Sequence, residues 1–202
     1  LMRFLIFNNK LAKGLILISQ NSIIFINKFR YNFFIIWLYL IIIFFNMKII
    51  IREAQKEDMS DVISLINELA EFEKEPNEVE IDSTILENDG FEENSYFKCF
   101  VAENKESIIG AAIIYNRYST WKGRTIHLED LIVTEKMRAN GVGTLLLDQV
   151  VNYAKKLNVK RVSWEVINWN KKAIKFYLKK GALIKQDWSI VHLDSNALKN
   201  YK

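Results

Sequence analysis

The residues best suited to bind a phosphate lie between a predicted strand and a predicted helix. Two glycines, Gly141 and Gly143, stand where this helix would begin, and Arg138 precedes them. Glycine lets the backbone approach a ligand closely, and the N–H groups at a helix N-terminus suit an anion. The spacing is neither the dinucleotide fingerprint nor the P-loop. The segment therefore predicts a phosphate or pyrophosphate site, with an ordinary turn as the alternative.

A second chemical signal lies in the preceding strand, predicted at residues 125–133. Apolar residues fall on even positions up to Leu128 but on odd positions from Leu131 onward. Because side chains alternate between the two faces of a strand, this phase slip predicts a β-bulge at Glu129 and Asp130. Bulges re-aim side chains beside active sites and leave backbone groups unpaired. A fully buried strand that ends in two polar residues is the alternative.

Both signals belong to an alternating series of strands and helices. Strands are predicted at residues 48–52, 96–102, 108–115, 125–133, 159–167 and 188–193, and helices around residues 62–70, 83–88, 141–156 and 171–180. The strands at residues 96–102 and 108–115 are predicted to form a hairpin that turns at residues 103–106, and Asn170 is predicted to cap the last helix. The sequence contains no internal repeat, and Pro76 is its single proline. We therefore predict one α/β domain with a mixed sheet over residues 47–202.

The net charge of +4 is unevenly distributed along the chain. Residues 1–46 contain five Lys or Arg and no acidic residue, which leaves 23 basic and 24 acidic residues in the remainder. Without a global positive charge on the domain, nucleic-acid binding loses its main support. The single cysteine excludes an internal disulfide, and two histidines with one cysteine leave little material for a zinc site. We therefore predict no nucleic-acid partner and no metal.

Residues 1–46 differ in composition from the rest of the chain. Their longest apolar run, residues 33–45, is 13 residues long, whereas a membrane-spanning helix needs roughly 20. The abundant residue types are those that AT-rich codons favour, and Met47 stands directly before a predicted strand. We expect residues 1–46 to be translated upstream sequence outside the functional domain, and the protein to be cytoplasmic. A short membrane anchor at residues 33–45 is the alternative.

Two motifs resemble those of the GNAT acetyltransferases. The run from Arg138 to Gly143 resembles the R-x-x-G-x-G acetyl-CoA motif, and a downstream set is similar to the N-x-x-A-x-x-F-Y-x-x-x-G motif: Asn170, Ala173, Phe176, Tyr177 and Gly181. Segments at residues 51–54, 68–74, 118–126 and 128–130 resemble the diamine acetyltransferase group. The resemblance covers about residues 48–193. It implies a mixed, mostly antiparallel sheet with flanking helices, in which a bulged central strand splays from its neighbour.

The resemblance also implies a function. It implies an N-acetyltransferase that transfers the acetyl group of acetyl-CoA directly to a primary amine of a small cationic substrate, such as a polyamine or thialysine, and that forms a homodimer. By position, Tyr177 would protonate the departing CoA thiolate, and Glu129 would help to deprotonate the amine. Acetyl-CoA would contact these residues: Leu131, Ile132, Val133, Arg138, Ala139, Asn140, Gly141, Val142, Gly143, Thr144, Asn170 and Ala173.

The implied substrate residues are Phe72, Glu73 and Glu129, with Asp187 as the candidate replacement for a Glu that relatives carry in a longer loop. Deprotonating a lysine-like amine at pH 7 costs roughly 4–5 kcal/mol. Glu129 would therefore act through water or as a desolvated carboxylate with a raised pKa. A peptide N-acetyltransferase and a non-catalytic CoA-binding regulatory module stay open as alternatives.

Overall fold

The structure is a computed structural model that describes residues 48–105 and 107–202. The predictions for residues 1–46 lie outside these described residues. The chain divides into two compact units, one ending at Val162 and the other spanning Ser163–Lys202. In the described part of the chain, no helix has the length and apolar character needed to cross a membrane.

The first unit contains four strands and the first residue of a fifth, and the strands of this sheet follow one another in space as they do along the chain. The strands are β1 (Ile50–Glu53), β2 (Lys98–Glu103), β3 (Ile108–Ser119), β4 (Gly123–Val133) and β5 (Val162–Ser163), in the order β1-β2-β3-β4-β5. The helices are α1 (Met59–Glu73), α2 (Ser83–Phe91) and α3 (Val142–Lys156), and 3-10 turns lie at Lys56–Asp58 and Glu135–Met137. The first four strands pair antiparallel, which confirms the predicted hairpin.

The sheet is mixed because the chain returns to the edge of β4 after α3. The N–H of Lys160 donates to the carbonyl of Arg124 at 3.3 Å, and the N–H of Ile126 donates to the carbonyl of Arg161 at 3.0 Å. Residue numbers on both segments rise together, as in a parallel pair joined by a helical crossover.

Helices cover both faces of the sheet, as the contacts of successive side chains along β2 show. Cys99 and Val101 belong to the core that contains Val62 of α1. The intervening Phe100 points the other way, and its ring lies 5.5 Å from the ring of Tyr153 on α3. Because successive strand residues face opposite sides, α1 and α3 pack on opposite faces of the sheet.

The predicted bulge is present in β4 and consists of one extra residue. Ile113 of β3 lies opposite Asp130 and Ile114 lies opposite Leu128, so Glu129 has no partner in the register of these strands. Ile113 belongs to the core under α1, and alternation turns Ile114 to the other face. The extra residue therefore aims Asp130 at the α1 face and Leu128 at the opposite face.

Beyond the bulge, one edge of β4 lacks a neighbouring strand over most of its length. β5 is two residues long and β4 is 11 residues long, so β5 covers only a short part of that edge in the described chain. Ile132 is buried there, whereas Leu131 and Val133 are half-buried. This arrangement matches the splayed strand that the resemblance implies.

The second unit contains two helices, α4 (Lys171–Lys179) and α5 (Ser195–Lys199). The final strand predicted at residues 188–193 is wrong, because this segment is irregular. Trp188 is 71% exposed and Val191 is 86% exposed. Alternating apolar residues predicted a strand, but a strand needs a partner for its backbone groups, and no described strand pairs with this segment. The strand predicted at residues 159–167 is likewise reduced to β5.

Gly110 allows β3 and β4 to approach closely near α3. A Cβ at Gly110 would lie 2.7 Å from the backbone oxygen of Ile132 and 3.1 Å from Cδ1 of Leu146. We expect Gly110→Ala to lower the free energy of unfolding by about 1–3 kcal/mol, measured by urea unfolding of the full chain.

Gly143→Ala is the matched control for this prediction. A Cβ at Gly143 would meet only Cγ2 of Val133, at an ordinary 3.7 Å. Because alanine is the better helix former, this variant should raise the free energy of unfolding by up to about 1 kcal/mol. Equal stability of Gly110→Ala and the unmodified chain would contradict the close approach.

Candidate active site

The predicted anion site has the geometry of an open helix start. The first hydrogen bond of the i to i−4 type in α3 runs from the N–H of Leu145 to the carbonyl of Gly141, at 3.1 Å. The N–H groups of Val142, Gly143 and Thr144 precede this bond and point out of the helix end. Gly141 has a φ of +84°, and nothing lies within 4 Å of the position of a Cβ there. The backbone at this end of α3 is therefore accessible, and it fits a pyrophosphate group.

The turn before α3 is held by local side-chain bonds. Ala139 has a φ of +65°, a conformation that costs a non-glycine residue roughly 1–2 kcal/mol. The Nδ2 of Asn140 donates to the carbonyls of Met137 and Arg138, at 3.3 and 3.4 Å. These bonds hold the strained backbone in place where the connection meets the helix.

Arg138 braces this connection against the rest of the first unit. Its Nε donates to the carbonyl of Val133 at 2.9 Å, and its Nη2 donates to Oε1 of Glu68 at 3.2 Å. Its guanidinium carbon lies 5.1 Å from the ring centroid of Phe72. Arg138 thus places a positive charge near the helix start while two of its nitrogens bind protein groups.

Three carboxylates interact around the bulge. Burial, together with the smaller effect of the negative charges of Glu129 and Glu73, raises the pKa of Asp130 to about 6. Burial also raises the pKa of Glu73, which ends α1. The Glu129 side chain, by contrast, is 56% exposed. The desolvated carboxylate that the sequence suggested at position 129 is therefore found at Asp130.

Sequence reasoning missed Asp130 as a site residue. It included this aspartate in the bulge but assigned no chemical role to it. The phase slip in the apolar pattern was a partial indication of its role, because one extra residue at Glu129 turns every later residue of β4 to the opposite side of the sheet. The sequence did not indicate where α1 lies in the fold. In the structure, Glu73 of α1 lies on the side of the sheet that Asp130 faces.

A buried histidine stands beside Glu129. The Nδ1 of His127 lies 3.3 Å from Nη1 of Arg117, and arginine can only donate, so Nδ1 accepts. The Nε2 of His127, which carries the proton in the neutral ring, lies 3.6 Å from Oε2 of Glu129. The exposed carboxylate therefore has a buried, oriented neighbour on one side.

The remaining predicted site residues belong to the second unit. Asn170 caps α4, as predicted, and its Oδ1 accepts a hydrogen bond from the N–H of Ala173 at 3.1 Å. Tyr177 follows Ala173 by four residues, which places both on one face of α4. The Tyr177 ring is buried, and its centroid lies 5.0 Å from that of Trp164. Asp187 is exposed in the irregular segment after α4.

The described residues contain no group of three His, Cys, Asp or Glu side chains that is arranged to hold a metal ion. Cys99 is a free, buried thiol, and burial raises its pKa to about 12. A thiol in this state is a poor nucleophile.

Comparisons with known proteins bear on the same regions. Residues 60–182 match the family described as the acetyltransferase (GNAT) family. Thialysine N-epsilon-acetyltransferase of Mus musculus is 39% identical over 140 residues, covering 65% of this chain and 82% of that protein. The Homo sapiens spermidine/spermine N(1)-acetyltransferase-like protein 1 is 31% identical over 140 residues, covering 66% of this chain and 20% of that protein.

A solved structure agrees with the fold. An integron cassette protein from the mobile metagenome of V. cholerae superposes with a TM-score of 0.63 at 23% identity, and the match covers 76% of this chain and 96% of that one. The family match spans more than half of the chain and includes both the helix start of α3 and the whole of α4. The chain therefore belongs to the acetyltransferase (GNAT) family.

Proposed function

We propose that this chain transfers the acetyl group of acetyl-CoA directly to a primary amine of a small cationic substrate. The observation that carries the proposal is the bulge in β4. It places an acidic cluster, formed by Glu73, Glu129 and Asp130, beside the strand that leads to the open start of α3. Membership of the acetyltransferase family supports the reaction type. The similarity to thialysine and spermidine/spermine acetyltransferases supports the class of amine.

Acetyl-CoA supplies a thioester that a neutral amine can attack. In the proposal, the backbone N–H groups of Val142, Gly143 and Thr144 bind its pyrophosphate, and residues 138–141 shape the turn around it. The edge of β4 beyond the bulge, at Leu131, Ile132 and Val133, is assigned to the extended arm of the carrier. Asn170 and Ala173 are assigned to the thiol end of the carrier.

The acidic cluster is assigned to the amine. Carboxylates that are partly removed from water attract a cation more strongly than exposed ones, because the local dielectric is lower. Glu73, Phe72 and Asp130 are suited to hold the cationic substrate, and Asp187 is a further candidate. Because Glu129 is largely exposed, water can reach its carboxylate, which supports proton transfer from the amine through water rather than directly.

Tyr177 is assigned as the acid that protonates the departing thiolate. A phenol with an ordinary pKa near 10 can donate to a thiolate whose acid has a pKa near 8.5 only if it is held close and aligned. The packing of the Tyr177 ring against Trp164 and Phe176, with centroids 5.0 and 5.2 Å away, supports such fixation. A homodimer, which the family resemblance implies, and a cytoplasmic location, which the sequence suggests, are also part of the proposal.

The proposal predicts a specific order of acceptors. With acetyl-CoA as donor, spermidine and thialysine should be acetylated with a higher kcat/KM than a peptide with a free N-terminus, because the acidic cluster favours compact, multiply charged amines. The measurement is CoA release with the full chain. A preference for the peptide would favour protein acetylation, and tight CoA binding without turnover of any amine would favour a regulatory module.

Removing the Tyr177 hydroxyl should affect the chemical step and leave carrier binding intact. We expect Tyr177→Phe to lower kcat by about 100-fold, within the range typical of general acid catalysis, while Kd for acetyl-CoA stays nearly constant. Tyr201, an exposed residue near the C-terminus, provides the control variant Tyr201→Phe, which should retain full activity. An unchanged kcat in Tyr177→Phe would remove this residue from its role.

The raised pKa of Asp130 predicts a pH dependence of substrate binding. Below about pH 6 the carboxyl group is protonated and neutral, and above it the group is an anion that attracts the amine. KM for spermidine should therefore fall as the pH rises through about 6. Asp130→Asn should remove this change, and Glu80→Gln, which alters an exposed acid, should preserve it. A pH-independent KM in the unmodified chain would refute the assignment.

A further inference from the structure

Glu68 occupies a position that no part of the proposed mechanism explains. It lies on α1 and is half-buried, with 30% of its side chain exposed. Its Oε1 accepts a hydrogen bond from the backbone N–H of Glu135 at 2.6 Å and another from Nη2 of Arg138 at 3.2 Å. These two donors lie 67 and 70 residues further along the chain. One carboxylate oxygen thus binds both ends of the 3-10 turn that connects β4 to α3.

The surroundings of Glu68 make this contact a brace. Hydrogen bonds to a charged carboxylate are roughly twice as strong as neutral ones. One turn further along α1, the ring of Phe72 lies against the Arg138 guanidinium, 5.1 Å from centroid to carbon. The Nε of Arg138 binds the carbonyl of Val133, the last residue of β4. The connection is therefore fixed to α1 and to β4 before it reaches the helix start.

The charge of Glu68 is unexpected beside an anion site. A carboxylate near a pyrophosphate repels it, unless the carboxylate charge is compensated by a close cation. Arg138 provides that compensation, so the pair has little net charge, and the attraction for a phosphate falls to the backbone N–H groups of α3. The negative charge of Glu68 therefore does not help to bind the phosphate. Its carboxylate instead acts as a hydrogen-bond acceptor that orients the connection between β4 and α3.

We propose that Glu68 is a positioning residue for acetyl-CoA, which it affects through Glu135, Arg138 and the connection to α3. This inference rests on the proposed function. Two physical models predict opposite results when Glu68 loses its charge. If Glu68 acts only as a charge, its removal leaves Arg138 uncompensated and strengthens acetyl-CoA binding. If Glu68 positions the connection, its removal weakens binding.

The experiment is isothermal titration of acetyl-CoA into the full chain, together with steady-state kinetics. We expect Glu68→Ala to raise Kd and KM for acetyl-CoA about tenfold, because the Glu135 N–H and Arg138 lose their acceptor. Glu68→Gln keeps an oxygen at the same place but loses the charge, so its increase should be smaller, about threefold. In both variants kcat at saturating substrates should change little, which separates positioning from a catalytic role.

The matched control is Glu71→Gln, which removes the same charge from an exposed site on the same helix and should leave Kd unchanged. Thermal unfolding of each variant identifies any general loss of stability, and Glu68→Gln keeps the test valid if Glu68→Ala does not fold. A Kd in Glu68→Gln equal to or lower than that of the unmodified chain overturns the positioning role. If the unmodified chain binds no acetyl-CoA, the proposed function falls as well, so the two failures are distinguishable.

Discussion

The insertion of Glu129 into β4 determines which side of the sheet the carboxyl group of Asp130 faces. Side chains in a strand alternate strictly, so one unpaired residue reverses the facing of everything after it. Leu128 accordingly faces away from α1, while Asp130 and the buried Ile132 face toward it. The same residue that disturbs the pairing with β3 therefore brings a carboxyl group under α1. Without this insertion, Asp130 would lie on the opposite face, away from Glu73.

The site combines two electrostatic environments of opposite kind within one unit. At the start of α3, positive potential comes from backbone N–H groups, since Arg138 is compensated by Glu68. Around the bulge, negative potential comes from side chains whose solvation is reduced, which is why the pKa of Asp130 rises. The backbone dipoles are fixed by the fold, whereas the carboxylates respond to pH. A phosphate-bearing carrier and a cationic acceptor thus meet separate sets of groups.

Features that depend on neighbours along the chain were predictable from the sequence. The phase slip located the bulge, Asn170 was identified as the cap of α4, and the glycines marked the start of α3. Features that depend on pairing at a distance were not. The contact between Glu68 and Arg138 joins residues 70 positions apart, and no local pattern indicates it. The error at residues 188–193 has the same origin, because alternation indicates a strand but cannot supply the neighbour that a strand needs.

The backbone of Ala139 has a consequence for the unbound protein. A glycine at a φ of +65° would relieve the steric strain that alanine carries there. It would also let the turn sample many more shapes when no ligand is present, because glycine has the larger conformational entropy. The alanine therefore makes the turn less stable but narrows its ensemble of shapes, so that less disorder has to be lost at the moment a ligand arrives.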